Sequence, residues 1–484
     1  MPSRYTRGVT SLWWWILALA VDAWCILDGN WIIAAVAFPI QLWLGRESLR
    51  RLVRSRQDSL VHEFNRQFAL MHRTRWQRWR GVVLLGAAWL AFRMLGEVWG
   101  RSTLVAVEST ARDELLAERA RRAEIRMPAV GGAGMDEDAA PIEREALARF
   151  SSFDERGAKA FLVAARAGFE KPPPREVEAR LASLEPALAD LRRSARCTRC
   201  FWELAEPTVD PPAWPKFQPA RAAGAALVLE GHARARRGQY GEAARSYLAS
   251  FRLGADLALY DLGSYALGSA IDLVAIDALG ALVVSMPRRS TREIAEIAGE
   301  VAALESAVPH AARAFRTEQL GNLAFTRECS KGFFGGETTF GSVACPERAL
   351  FAHACTRRHA MLDELVRATE TGDRRERDAT AARVAAAARA SWNPTLRILM
   401  ENAPDMARFE LELLTKVRLV EGALSLERAY ESADSYFVQL DLPDDPLAPG
   451  RRLLVSTDGE TYSISSAGDG MSTNKKEYVL ERRR

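Results

Sequence analysis

ALVLEGHARARRGQYGEAARSYLASFRLGADLA, residues Ala226–Ala258, is the stretch on which the reading of the fold turns. Tyr247 and Phe251 lie four apart, so on a helix they share a face and can fill one groove. The small residues around them, Gly241, Ala243 and Ala244 among them, let two helices approach closely. The stretch therefore reads as a helical hairpin.

Gly238-Gln239-Tyr240-Gly241-Glu242-Ala243, followed by Tyr247 and Phe251, resembles the second helix of a tetratricopeptide repeat. A solenoid needs about three such units, and one is visible, so the expectation is one hairpin among other helices. Upstream, helical patterns cover Ile142–Ala167 and Glu176–Ala195, separated by KPPPRE, which cannot continue a helix. AVGGAGMDEDAAP (Ala129–Pro141) reads as a linker, and Pro207–Pro219 as a second break. Downstream, helices are expected at Tyr260–Ser285, Thr291–Ala307 and Pro309–Arg327. After a Gly-rich loop they resume at Pro346–Thr371, Arg374–Ala390 and Pro394–Tyr430.

The chain then changes character. RLLVSTDGETYSISSAGDGM (Arg452–Met471) places two β-prone runs around Asp458-Gly459, a hairpin signal. A two-residue turn would set Val455 opposite Tyr462 and Leu453 opposite Ile464. Because a lone hairpin is marginal in water, these four should pack on the long helix ending near Tyr430. Asp469 with Asp458 offers too few oxygens for a calcium loop, and a turn-forming Gly-Asp-Gly is the preferred reading. Residues 225–285, with the ending Asp445-Pro446-Leu447, Asp458-Gly459, Tyr462 and Ser466-Ala467-Gly468-Asp469-Gly470, resemble uncharacterised envelope proteins of planctomycetes and myxobacteria. A similar ending occurs in the major pseudopilins of type II secretion. The resemblance implies a membrane-anchored helical envelope protein and no established activity. The start, MPSRYTRGVTSLWWW, lacks the pseudopilin processing site, which argues against a fibre subunit.

Three apolar runs stand near the beginning: 11–27, 31–44 and 81–99. Each approaches the ~20 residues that cross a bilayer, and Trp residues cluster at their ends as an interfacial belt would. Between the second and third lies Arg46–Arg80, with ten Arg against three acidic residues. A short loop this basic stays in the cytoplasm. The expected topology puts the N-terminus in the cytoplasm, the chain in a bacterial inner membrane, and everything after about residue 100 in the periplasm. Arg50, Arg51, Arg54, Arg56, Arg73 and Arg75 belong to an amphipathic stretch that would lie on anionic lipid. With 66 basic and 62 acidic residues the net charge is +4, which argues against a dedicated nucleic-acid partner. Asp22 in the first run, and Arg93 and Glu97 in the third, read as helix–helix contacts or an intrahelical pair. Together these features give a mainly α protein: three N-terminal transmembrane helices, then an extracytoplasmic TPR-like helical domain ending in a small β-hairpin. Its expected divisions are 1–102, 103–220, 221–395 and 396–484.

Five of the six cysteines fall in the expected periplasmic part, an oxidising compartment. Cys197-Thr-Arg-Cys200 has the spacing of a redox or zinc half-site, but helices rather than a βαβ unit surround it, so a local disulfide is preferred. Cys329 and Cys345 flank the Gly-rich loop and read as a second disulfide; Cys355 with His359 leaves a metal site as the alternative. His232 and His310 sit on helical stretches without an evident partner. No G-x-S-x-G, H-E-x-x-H or P-loop occurs, so no catalytic, metal or cofactor residues are assigned. The expectation is a non-enzymatic scaffold that presents helical grooves to an envelope protein partner. The alternatives are a hydrolase-like envelope enzyme with a site scattered along the chain, or an accessory part of a secretion or pilus-like machine. A cleft holding a His–carboxylate pair would favour the enzyme, and a groove of Ala, Tyr and Leu the scaffold.

Overall fold

The computed structural model describes residues 124–202, 217–259, 262–287, 290–319, 346–371, 374–393, 403–436, 442–448, 450–466 and 479–482, with scattered positions at 87–121 and 396–401. The chain forms two compact units, residues 1–105 with 329–353, and residues 106–328 with 354–484. In the first, the expected spans at 11–27 and 31–44 and the basic loop with Arg50, Arg51, Arg54, Arg56, Arg73 and Arg75 lie outside the described residues. Of the third span, positions 87–88, 91, 95–96 and 98–99 are described and helical. The rest of this section concerns the second unit, which is mainly helical.

Its first layer runs β1 (Met135–Asp138), α1 (Ala139–Ala148), α2 (Glu155–Arg166), α3 (Arg175–Ser183), α4 (Glu185–Ser194) and β2 (Cys197–Arg199). Asp138 and Asp154 cap α1 and α2, their side chains accepting the N–H of Ala140 and Gly157. The expected linker at 129–141 is instead built into the fold. Val130 N–H donates to Ala195 and Met135 N–H to Arg196, and β1 pairs in parallel with β2. Those backbone bonds override the Gly-rich composition that suggested a free connection.

At the centre stand α5 (Phe217–Arg236) and α6 (Tyr240–Leu257), the hairpin expected from the sequence, followed by α7 (Leu262–Ser285). Tyr247 and Phe251 are buried, and a Cβ at Gly231 would overlap the Tyr247 ring, so glycine is what lets that ring lie on α5. At the next crossing a Cβ on Gly254 would stand 2.6 Å from the Gly268 carbonyl, which brings the α6 and α7 backbones into direct apposition. Among the described residues α7 is the one helix long and apolar enough to cross a membrane, with a mean hydropathy of 2.0 over its most apolar 18 residues. It packs against α5, α6 and the long C-terminal helix, and most of its surface is covered by protein. A helix apolar all round is what a central core position selects.

The chain continues through α8 (Thr291–Leu304), a helical run at 311–319, α9 (Pro346–Glu370, which belongs to this unit from residue 354 on), α10 (Arg374–Arg389) and α11 (Ala403–Ala433). Phe315, Leu362, Leu365, Val384 and Leu396 form a second apolar cluster with Tyr265 of α7.

The ending is a three-stranded antiparallel sheet rather than a hairpin: β3 (Leu454–Thr457), β4 (Tyr462–Ser465) and β5 (Val479–Arg482), in that order. The register also differs from the two-residue turn. Thr457 faces Tyr462 and Val455 faces Ile464, leaving a four-residue loop. The Asp458 carboxylate accepts the N–H groups of Glu460 and Thr461, and Gly459 takes a positive φ of 90°. That side-chain capping outweighs the tighter turn. Val455 is consequently exposed, whereas Leu453, Tyr462 and Ile464 are buried. Ile464 sits over Gly422 of α11, where any Cβ would overlap it. Leu480 of β5 covers Gly280 of α7. Ser466 donates to the Asp445 carboxylate at 2.7 Å, so two parts of the Asp-Pro-Leu…Ser ending are clasped together.

Trimming Ile464 to Ala should remove a plug that nothing else can fill. The opening free energy of the β4 and β5 amides in hydrogen exchange should fall by about 2–5 kcal/mol. An unchanged exchange rate would mean that the sheet is not anchored through Ile464.

Candidate functional site

Two polar constellations stand out in the second unit. The first is fully buried. Arg252 and Asp256 lie one turn apart on α6, and Arg252 Nε donates to the Asp256 oxygens at 3.0 and 2.9 Å. Arg252 Nη1 donates to the Pro128 carbonyl at 2.8 Å, which ties the segment before β1 to the central hairpin. Glu143 of α1 and Cys200, just past β2, close the group, with Ser194 donating to Glu143 Oε1 at 3.3 Å. Ligand atoms of Glu143, Cys200 and Asp256 all lie within 4.8 Å of one another; among the described residues this is the one such group of three metal-ligating types.

Burial pushes the Glu143 carboxyl well up, and the charge of Asp256 adds to the effect. Burial likewise raises the Cys200 thiol, reinforced by Asp256 and then Glu143. The Asp256 carboxyl is raised by burial against the opposing pull of Arg252. Cys197 is raised by burial as well. Burial of this kind disfavours the thiolate, the opposite of the lowered thiol pKa on which a thioredoxin-like Cys-x-x-Cys depends.

The expected Cys197–Cys200 disulfide is absent, both residues being free thiols. The reason is geometric. Cys197–Arg199 is a strand, and three extended steps set the Cα atoms of Cys197 and Cys200 about 10 Å apart, beyond disulfide reach. Cys355 is also buried, on α9, and Cys329 and Cys345 lie outside the described residues.

Both histidines without a visible partner in the sequence acquire one. His232 Nε2 lies 2.7 Å from the Ala165 carbonyl and Nδ1 2.7 Å from the Tyr247 hydroxyl. The carbonyl can only accept, so Nε2 carries the proton and Tyr247 donates to Nδ1. Burial lowers the His232 pKa and keeps the ring neutral. Close by, Glu230 pairs with Arg192 and Arg234 and accepts from Ser246. Both networks join helices.

The second constellation is open. A cleft of about 670 Å³ runs between the start of the 311–319 helix, α9, α10, α11 and the Asp445 segment. Its basic lining is His310, Arg313, Arg316, Arg374, Arg377 and Arg418, against Glu370, Glu410, Asp444 and Asp445. Glu410 is the organising acid: it accepts from His310 Nδ1 at 3.2 Å and from Ala311 N–H at 3.0 Å, with Arg377 Nη1 3.5 Å away. Arg316 pairs with Glu370, and Arg418 with Glu305 and the Asp444 carbonyl. Arg377 Nε and Arg418 Nε are buried and have no hydrogen-bond partner among the described residues. This cleft was invisible in the sequence because its arginines come from stretches about a hundred residues apart, each reading as an ordinary solvated helix face. No protein-family model, curated protein or solved structure matches the chain.

Two outcomes follow from this chemistry. Arg252→Met leaves a buried Asp256 uncompensated and should cost about 3–5 kcal/mol, whereas Arg252→Met with Asp256→Leu should recover part of the loss in thermal unfolding. If the double variant is no more stable than the single one, the pair is not what matters. Beside the cleft, burial and then the Glu305 charge push Glu421 up to about 7. The folded chain then holds a proton that the unfolded chain has already lost, from the ordinary carboxylate range up to about pH 7. Stability from this group therefore declines as pH rises through that window. Glu421→Gln should flatten the decline in a pH series of melting temperatures, and an unaltered slope would assign it to another group.

Proposed function

We propose that this chain is a membrane-tethered helical scaffold of the bacterial inner membrane. Its second unit faces the periplasm and offers the arginine-lined cleft to an acidic segment of an envelope protein partner. The observation that carries the reading is an open cleft lined by Arg377, which is buried, and Arg418, each with a guanidinium nitrogen that has no hydrogen-bond partner among the described residues. Such groups are stabilised when a carboxylate supplies the missing acceptor, and arginine recognises carboxylate with two parallel bonds. The apolar runs at 11–27, 31–44 and 81–99 supply the tether, and the exposure of Leu95, Val98 and Trp99 accords with the third facing lipid.

A second reading uses the same cleft. His310 is half exposed and its Nδ1 is held by Glu410, the arrangement that orients an imidazole as a general base. An envelope hydrolase acting on an anionic substrate would place water at His310 and the anion on the arginines.

Binding of a fluorescent Asp/Glu-rich peptide to the full chain in detergent separates the two. The scaffold reading expects affinity that falls with salt, drops at least about tenfold in Arg316→Glu, and falls far less in His310→Ala. Peptide binding that ignores Arg316→Glu would sink it. Turnover of a phosphate or carboxylate ester that disappears in His310→Ala would establish the hydrolase instead. A reporter fused near Glu108 that is active only in the cytoplasm should stay dark, and a signal from it would reverse the topology.

A further inference from the structure

We infer that Glu143, Cys200 and Asp256 form a binding site for a zinc-class divalent ion, independent of the cleft. The three ligand atoms lie within 4.8 Å of one another, close to what small side-chain rotations need to meet one ion at bonds of about 2.0–2.3 Å. They come from α1, the segment after β2, and α6, so the ion would staple the first layer to the central hairpin.

A separate observation points to a missing ligand. Glu143 is fully buried, and no N–H or hydroxyl donor among the described residues reaches its Oε2; the acidic neighbour it meets is the Asp256 carboxyl. Ser194 holds the other oxygen, the kind of outer bond that fixes a metal-ligating carboxylate. Two carboxylates this close in a sealed interior need either a shared proton or a cation between them. Both arrangements are neutral overall, since Arg252 alone offsets one carboxylate when the other carboxyl and the thiol keep their protons; the thiol at the third corner is what points to the cation. Arg252 contributes one positive charge and a divalent ion two, which together offset two carboxylates and one thiolate. Arg252 stays compatible with the ion, because Asp256 can turn one oxygen to the metal and keep the other on Arg252 Nε. A mixed sulfur and oxygen donor set selects zinc over calcium or magnesium. Binding replaces the protons of the thiol and Glu143, which leave to solvent, and no redox change is involved.

The test uses the purified full chain in detergent, stripped with chelator and titrated with Co²⁺ alone, then with Zn²⁺. One Co²⁺ per chain is expected, with a thiolate-to-cobalt charge-transfer band in the near ultraviolet that Zn²⁺ abolishes. Cys200→Ser should lose the band, and Cys197→Ser should keep it. Glu143→Gln, nearly isosteric, should weaken Co²⁺ binding at least about tenfold with the band position retained, as for other ligand-shell losses. The proposal is overturned if no stoichiometric cobalt binds the wild-type chain, or if the band persists in Cys200→Ser. Should Cys200→Ser fail to fold, the decision passes to the wild-type spectrum and Glu143→Gln. A wild-type chain without the band, or Glu143→Gln binding as tightly as wild type, then overturns it and leaves the two carboxyls sharing a proton.

Discussion

A guanidinium taken entirely out of water sits at the middle of this molecule, and much of its second unit is arranged around that fact. Arg252 is fully buried, and a charge so placed must be neutralised and hydrogen-bonded at once. Asp256 meets the first need from one turn away on the same helix, and the Pro128 carbonyl meets part of the second from a distant segment. That carbonyl is available only because residues 125–135 are pinned by backbone bonds to the β2 region. The parallel β1–β2 pair, although very short, therefore follows from the need to hold an acceptor against Arg252. Desolvating such a pair gives little net stability, but removing one member is expensive, and this asymmetry makes the arrangement specify one packing.

Apolar packing supplies the remainder. α6 and α7 meet backbone to backbone at Gly254 and Gly268, and α11 receives Ile464 at Gly422. Small residues serve the same end at both contacts: they permit close approach, and the enlarged dispersion contact replaces the absent side chains. The two apolar clusters share α7 as their common wall, since Tyr265 belongs to one and Leu279 and Leu282 to the other.

Much of this architecture is legible in the residues. The α5–α6 hairpin announces itself through Tyr247 and Phe251, and the helix boundaries follow prolines and acidic caps that act locally. What escapes a linear reading depends on distant partners. β5 ends in Leu480-Glu481-Arg482, too short and charged to stand out, and it is a strand because Arg482 reaches Glu427 at 2.7 Å and the Met286 carbonyl at 2.9 Å. Spacing within Cys-x-x-Cys suggested a bond between its own thiols, whereas the strand turns Cys200 toward acids from α1 and α6. The cleft escapes for the same reason: Glu410 organises His310 and Arg377 only after folding brings together residues a hundred positions apart.

Asp272 has a consequence outside the folded state. Its carboxylate is buried within α7 and has no hydrogen-bond partner, a cost to the core that packing alone does not require. Yet α7 is apolar enough to pass for a membrane span. A central aspartate raises the free energy of inserting such a segment by about 2.5–3.5 kcal/mol, and Asp277 adds to it. Before the chain has folded, those two carboxylates bias α7 away from the bilayer. The same carboxyl that costs the folded core therefore also makes the unfolded segment a poorer membrane span than its apolar residues alone would.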